Sequence, residues 1–375
     1  MNPCVHPGVF GGKPWGLEEL SPAELHLRVL KAGVDQFGDV NSPDHLLEAF
    51  AMLEEEGGRK AMRDRIEASA RRLLRNIFRT GLFENPYLDV EKSVKVIGNS
   101  EYMKEGFDAQ LRSIVLLKNR AGVLPLNDRN LKVYVPDRHI PAHMGLWGYP
   151  EEEKNFAPVS AACLDAHFIP AATPEEADVA IVFIDGPESG KGYDMEDLKN
   201  GGNGYVPLSL QYSPYTAETA REHSIAGGDP KEDFMNRSYR GKTVRCWNET
   251  ELETVKELRK RLGTKPLIVC MNLQRPAVMS EIEPLADALI VTFDVQNQAV
   301  MDIVSGAAEP SARLPVQLPA DMETVERQFE DTPFDMVPYR DSEGNVYDFG
   351  FGLDFKGKIK TDDIRKYGKP DSYEN

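Results

Sequence analysis

Five short apolar runs, "SIVLLKN", "LKVYVP", "ADVAIVFI", "KPLIVCMN" and "ADALIVTF", constrain what this chain can fold into more than any other feature. Their hydrophobicity is nearly continuous rather than alternating, which is the pattern of strands covered on both faces, and each falls far short of a membrane span. Between the third and fourth lies "NETELETVKELRKRLG", a helical stretch that ends at Gly263. Strands alternating with helices predict an α/β fold, here a three-layer α/β sandwich on a mostly parallel sheet. In such a sheet, ligands are handled by loops beyond the carboxyl ends of the strands.

Ahead of the first run, Pro22 to Phe78 reads as helical. "SPAELHLRVLKAG" opens on a Ser-Pro start and closes on Gly33, and "SPDHLLEAFAMLEEEGG" repeats that grammar. A third helix, from about Gly58 to Thr80, sets Ile66, Ala70, Leu73, Leu74 and Ile77 on one face. Gly81 to Glu105 reads as loop, punctuated by Asn85-Pro86 and Asn99-Ser100. A chain of 375 residues exceeds one ordinary domain. The expected division is a helical region over 1–90, a linker over 91–112, the sandwich over 113–355 and a mobile polar tail over 356–375.

The balance of 61 acidic against 44 basic residues, a formal net charge of -17, counts against nucleic acid and anionic membranes as partners. The first thirty residues lack the basic and apolar regions of a signal peptide, so the chain as it stands reads as cytoplasmic; an export signal ahead of Met1 would reverse that. Cys4, Cys163, Cys246 and Cys270 show no C-x-x-C spacing, and the seven histidines form no helical ligand set, so no metal or other cofactor is expected.

The loop after the third run, "DGPESGKGYD", holds the most chemistry. It is not a Walker loop, because three residues rather than four separate Gly186 from the Gly190-Lys191 pair, and Gly192 stands where Ser or Thr would bind magnesium. Glu188 suits a general acid whose pKa rises when it is covered; a solvated surface loop is the alternative reading. The neighbouring "KNGGNGYVPLSLQYSPYTA" adds Asn203, Tyr205, Tyr212 and Tyr215 to Tyr193, and rings beside amides make a natural sugar platform. An ordinary core-edge loop accounts for the same residues.

Several segments resemble glycoside hydrolase family 3, the β-glucosidase and β-xylosidase family. "KAGVDQFG" is similar to its late-barrel segment, and "SARRLLRNIFRTGLFENPYLD" to its domain-closing helix. "SIVLLKNRAGVLPL" resembles the start of its second domain, and "EPSARLPVQLPADMETVE" and "YDFGFGLDF" resemble its closing segments. The resemblance spans nearly the whole chain and implies helices left over from a (β/α)8 barrel, followed by the sandwich. "VFGGKPWGLEELSP" looks like the stretch just downstream of the barrel's nucleophile, so that nucleophile would precede Met1.

Family members often read Ser-Gly-Glu-Gly-Tyr where this chain has Ser189-Gly190-Lys191-Gly192-Tyr193, so Lys191 stands where the acid/base glutamate is expected. Glu188 and Asp194 are then the acid/base candidates, Glu188 preferred, with Lys191, Tyr193, Asn203 and Tyr205 as substrate contacts. The implied activity is hydrolysis of O-glycosyl bonds in β-glucosides or β-xylosides with retention. Its partners would be the sugar and a missing or separately encoded barrel, or a second copy of the chain, and the isolated chain would be inactive. The competing expectation is a non-catalytic domain that binds carbohydrate or complements a partner barrel.

Overall fold

A computed structural model describes residues 20–38, 40, 42–145, 149–219, 238–328 and 334–360. The segment read as lying just after the nucleophile falls almost wholly outside the described residues, as does the tail beyond 360. The chain divides into two compact units that meet between Asn99 and Ser100 in sequence.

In the first unit, Ser21 caps helix α1 (Pro22–Lys31). Its hydroxyl accepts from the Glu24 amide at 3.3 Å while the Glu24 carboxylate accepts from the Ser21 amide at 2.8 Å, the reciprocal capping box that the Ser-Pro start announces. Leu27 and Leu30 of α1 pack with Ala49 of helix α2 (Asp44–Arg79). At Gly58 (φ 81°) α2 kinks, where the two separately read helices meet. Beyond the kink Ile66, Ala70 and Ile77 of the apolar stripe are half-buried, while Leu73 and Leu74 are each 40% exposed and the neighbouring Phe78 62%. Helix α3 (Val90–Val96), capped by Asp89, lies in the stretch read as loop; it is short and none of its residues is buried.

The second unit opens with helix α4 (Ser100–Leu111), which begins in the stretch read as loop and continues beyond it, and is built on one eight-stranded sheet. In chain order its strands are β1 (Val115–Asn119), β2 (Lys132–Tyr134), β3 (Ile169–Pro170), β4 (Val179–Asp185), β5 (Leu267–Asn272), β6 (Ala288–Thr292), β7 (Leu353–Asp354) and β8 (Gly357–Lys358). Their spatial order is β8-β7-β1-β6-β5-β4-β2-β3. From β3 to β6 every neighbouring pair is parallel, whereas β1 runs antiparallel to β6 and to β7, so the sheet is mixed with a parallel centre. All five apolar runs supply strands of this sheet. Residue after residue of β4, β5 and β6 is buried, so helices and loops cover both faces, as a three-layer α/β sandwich requires.

Helices α5 (Ala161–His167), α6 (Met195–Lys199), α7 (Thr250–Leu262), α8 (Asn297–Val304) and α9 (Met322–Arg327) complete the unit. Leu252, Val255, Leu258 and Leu262 form the buried face of α7, which packs on β4 and β5. One charge of β1 is buried inside this core. Lys118 Nζ lies 2.5 Å from the Glu283 carboxylate and donates to the Glu283 carbonyl at 3.0 Å, with both side chains 1% exposed. Burial pushes the Glu283 pKa up, but Lys118, Ser342 and Tyr339 outweigh it and hold the carboxyl below its ordinary range.

Replacing Lys118 by Met strands the Glu283 charge in the core and should cost about 3–5 kcal/mol, read as a lower urea midpoint. Adding Glu283→Gln removes the orphan charge and should restore part of that loss.

Candidate active site

Three of the central strands end level with one another. Asn272 of β5 is in register with Asp185 of β4 on one side and Thr292 of β6 on the other, so polar side chains emerge together where the apolar strands stop. The Asn272 amide nitrogen donates to Asp185 at 3.2 Å and to Asp294 at 2.9 Å, and its oxygen accepts from the Asp294 backbone at 2.8 Å. Asp294 adopts φ 54°, a left-handed conformation that Asp tolerates better than most residues.

Beneath this edge lies a shared guanidinium. Arg138, on the short strand Arg138–Ile140 that pairs with Lys154–Phe156, donates to Glu251 Oε1 at 2.7 Å and also meets the Asp185 carboxylate. Glu251, in the first turn of α7, accepts from the Asp185 amide at 3.0 Å and from Asn248 at 2.9 Å. Burial raises the Glu251 pKa to about 7; Arg138 opposes the shift and Asp185 adds to it. Two carboxylates thus share one cation, and burial makes Glu251 bind its proton more tightly than an exposed glutamate does.

The loop holding Glu188 is strapped to this platform. Buried Asn248 donates to the Gly186 carbonyl and accepts from the Glu188 amide, each at 2.9 Å, as a neighbouring strand would. The Trp247 amide donates to the Glu188 carbonyl at 3.0 Å, and the Trp247 ring stacks on His143 with centroids 3.7 Å apart. The Glu188 carboxylate is partly buried and accepts from Arg275 at 3.0 Å. Burial pushes its pKa up, Arg275 pulls it down and Asp185 pushes it up again, with a net rise.

The other residues read from the sequence sit as follows. Lys191 is exposed between Gly190 and Gly192, both at positive φ. Asp194 is exposed and caps α6, its side chain accepting from the Glu196 amide at 2.8 Å. The rings of Tyr193 and Tyr205 meet edge to face at 5.5 Å. Their approach demands glycine at 204, since a Cβ there would stand 2.5 Å from the Tyr193 ring. Asn203 accepts from the Tyr205 amide at 3.1 Å and from Lys242 at 2.7 Å, and Lys242 also reaches Asp197 at 2.7 Å and the Tyr205 carbonyl at 2.8 Å. Tyr193, Asn203 and Tyr205 therefore form one braced turn. Tyr212, read as part of a sugar platform, is instead a core residue with no exposed surface, its hydroxyl donating to the Asp185 carbonyl.

Sequence reading missed Arg138, Asn248, Glu251 and Arg275, which come from three separate segments; only Asn248 and Glu251, three residues apart at the start of α7, share a spacing. The signals available were that Asn-x-x-Glu spacing and, for Arg275, a charged residue just beyond an apolar run in "CMNLQRP".

Fold and edge together define an α/β sandwich that presents a partly buried acid at the carboxyl ends of its central strands. Residues 228–355 match the family model described as the glycosyl hydrolase family 3 C-terminal domain. The chain is similar to a probable β-glucosidase C of Aspergillus flavus, 30% identical over 92% of this chain and 42% of that protein. It is also similar to a periplasmic β-glucosidase/β-xylosidase of Dickeya chrysanthemi, 26% identical over 93% of this chain and 42% of that protein. The chain spans less than half the length of either relative. Among solved structures, a β-glucosidase of Erythrobacter marinus matches with a TM-score of 0.54 at 18% identity, covering 91% of this chain and 46% of that one, which supports the fold. By these matches the chain is similar to the C-terminal portion of glycoside hydrolase family 3 proteins.

Glu251 makes stability depend on pH. Its folded pKa, about 7, exceeds the ordinary 4.5, so its contribution is fully present below about pH 4.5 and fades as pH rises through 7. Urea unfolding should show stability falling by up to about 3 kcal/mol from this group between pH 5 and 8, and Glu251→Gln should flatten that slope.

Proposed function

We propose that this chain supplies the sandwich half of a retaining β-glycosidase acting on β-glucosides or β-xylosides, with Glu188 as its acid/base carboxyl. The observation that carries this reading is Glu188 itself, a partly buried acid with a raised pKa on a loop at the carboxyl edge of a family 3 sheet. A retaining enzyme needs two carboxyls about 5 Å apart: one attacks the anomeric carbon, while the other protonates the leaving oxygen and then activates water. Burial helps Glu188 keep its proton for the first step, and the nearby Arg275 stabilises the carboxylate left behind.

The nucleophile would come from a barrel domain. No closed barrel occurs among the described residues, and the two relatives are more than twice as long as the aligned part of this chain. Leu73, Leu74 and Phe78 in the first unit leave an apolar stripe of the kind that another domain covers. Exposed Lys191, with Tyr193 on the turn braced by Asn203 and Tyr205, would meet the sugar hydroxyls and ring. A second reading, a non-catalytic carbohydrate-binding domain, is favoured by Lys191 standing where the family's glutamate is expected.

Aryl β-glucosides and β-xylosides distinguish the two. The chain alone should show no turnover. Supplied with a family 3 barrel, in one polypeptide or as a separate chain, it should turn over, with Glu188→Gln lowering kcat/KM by about 10²–10⁴-fold. Turnover indifferent to Glu188→Gln would refute the assignment of Glu188, and sugar binding without turnover in any form would establish the second reading.

A further inference from the structure

We propose that Arg275 is the positioning residue of the candidate acid, tethering the Glu188 carboxylate to the turn at Gly190. The proposal rests on Glu188 being the working carboxyl.

The backbone of the loop is already held without Arg275. Asn248 bonds Gly186 and the Glu188 amide, the Trp247 amide bonds the Glu188 carbonyl, and the Ser189 hydroxyl donates to the Ser209 carbonyl at 3.2 Å while accepting from the Ser209 amide at 2.8 Å. These contacts leave the direction of the Glu188 side chain unset. Arg275, three residues beyond the end of β5, sets it. One guanidinium nitrogen donates to Glu188 Oε2 at 3.0 Å and the other to the Gly190 carbonyl at 3.3 Å. A planar fork bonded to two acceptors orients the carboxylate, which a single ammonium would only neutralise.

The same contact acts on charge. Burial and Asp185, at the end of β4, both favour the protonated acid. Cys246, ahead of α7, has its thiol pushed up to about 12 by burial, Glu188 and Glu281, so it is neutral near pH 7 and adds no charge. Lys191, on the loop itself, is exposed to solvent. Arg275 is therefore the cation that opposes the upward push from the groups packed around Glu188.

Carbon-detected NMR titration of the Glu188 carboxyl in the full chain, assigned by its absence in Glu188→Gln and run without sugar, tests this. In Arg275→Gln the midpoint should rise by about one pH unit, and in Arg275→Lys, which keeps the charge, by less than half as much. An unchanged midpoint in Arg275→Gln overturns the proposal. So does an equal rise in Arg275→Lys, because the loop would then have relaxed rather than lost a charge. With no glycoside in the sample, the result is separate from the turnover and binding assays that judge the glycosidase reading.

Discussion

Burial of β4, β5 and β6 on both faces is the constraint on which the rest of this structure depends. Strands covered on both sides offer no polar surface along their length, so chemistry can emerge only where they end. The parallel registers bring those ends level at Asp185, Asn272 and Thr292, and one amide, that of Asn272, links the carboxylates on either side of it. The candidate site is a consequence of that alignment.

Charge organises the next layer. A single guanidinium, Arg138, faces both Asp185 and Glu251, and burial raises the proton affinity of Glu251. The Asn248 and Trp247 contacts then fix the Glu188 loop above this platform, so the candidate acid sits on a rigid base although its own segment is glycine-rich. Lys118 and Glu283 repeat the principle deeper in the core, where pairing and added hydrogen bonds let two full charges be buried.

The two halves of the candidate loop play different structural parts. Glu188 is drawn inward by backbone straps and a guanidinium, whereas Asp194, six residues on, faces outward and caps a short helix. The glycines between them allow this divergence, since Gly190 and Gly192 both take positive φ and leave Lys191 at the exposed tip. A carboxylate at 188 and one at 194 thus meet unlike surroundings, and burial raises the pKa of Glu188.

By itself the sequence determined the α/β class, all five core strands, the capped start of α1, the break at Gly58 and the glycine-flanked loop that follows β4. Each of these is written in local periodicity or in turn and cap chemistry, which act over a few residues. It also carried the family resemblance, which rests on motifs in order along the chain. Only the tertiary structure decided that β1 runs antiparallel to β6, that Tyr212 belongs to the core, and that Arg138, Asn248, Glu251 and Arg275 gather at Asp185 and Glu188. The physical reason is separation along the chain. Arg138 and Glu251 lie 113 residues apart, and Glu188 and Arg275 87, so no local pattern joins them. They meet because the sheet must bury both faces and bring its strand ends into line.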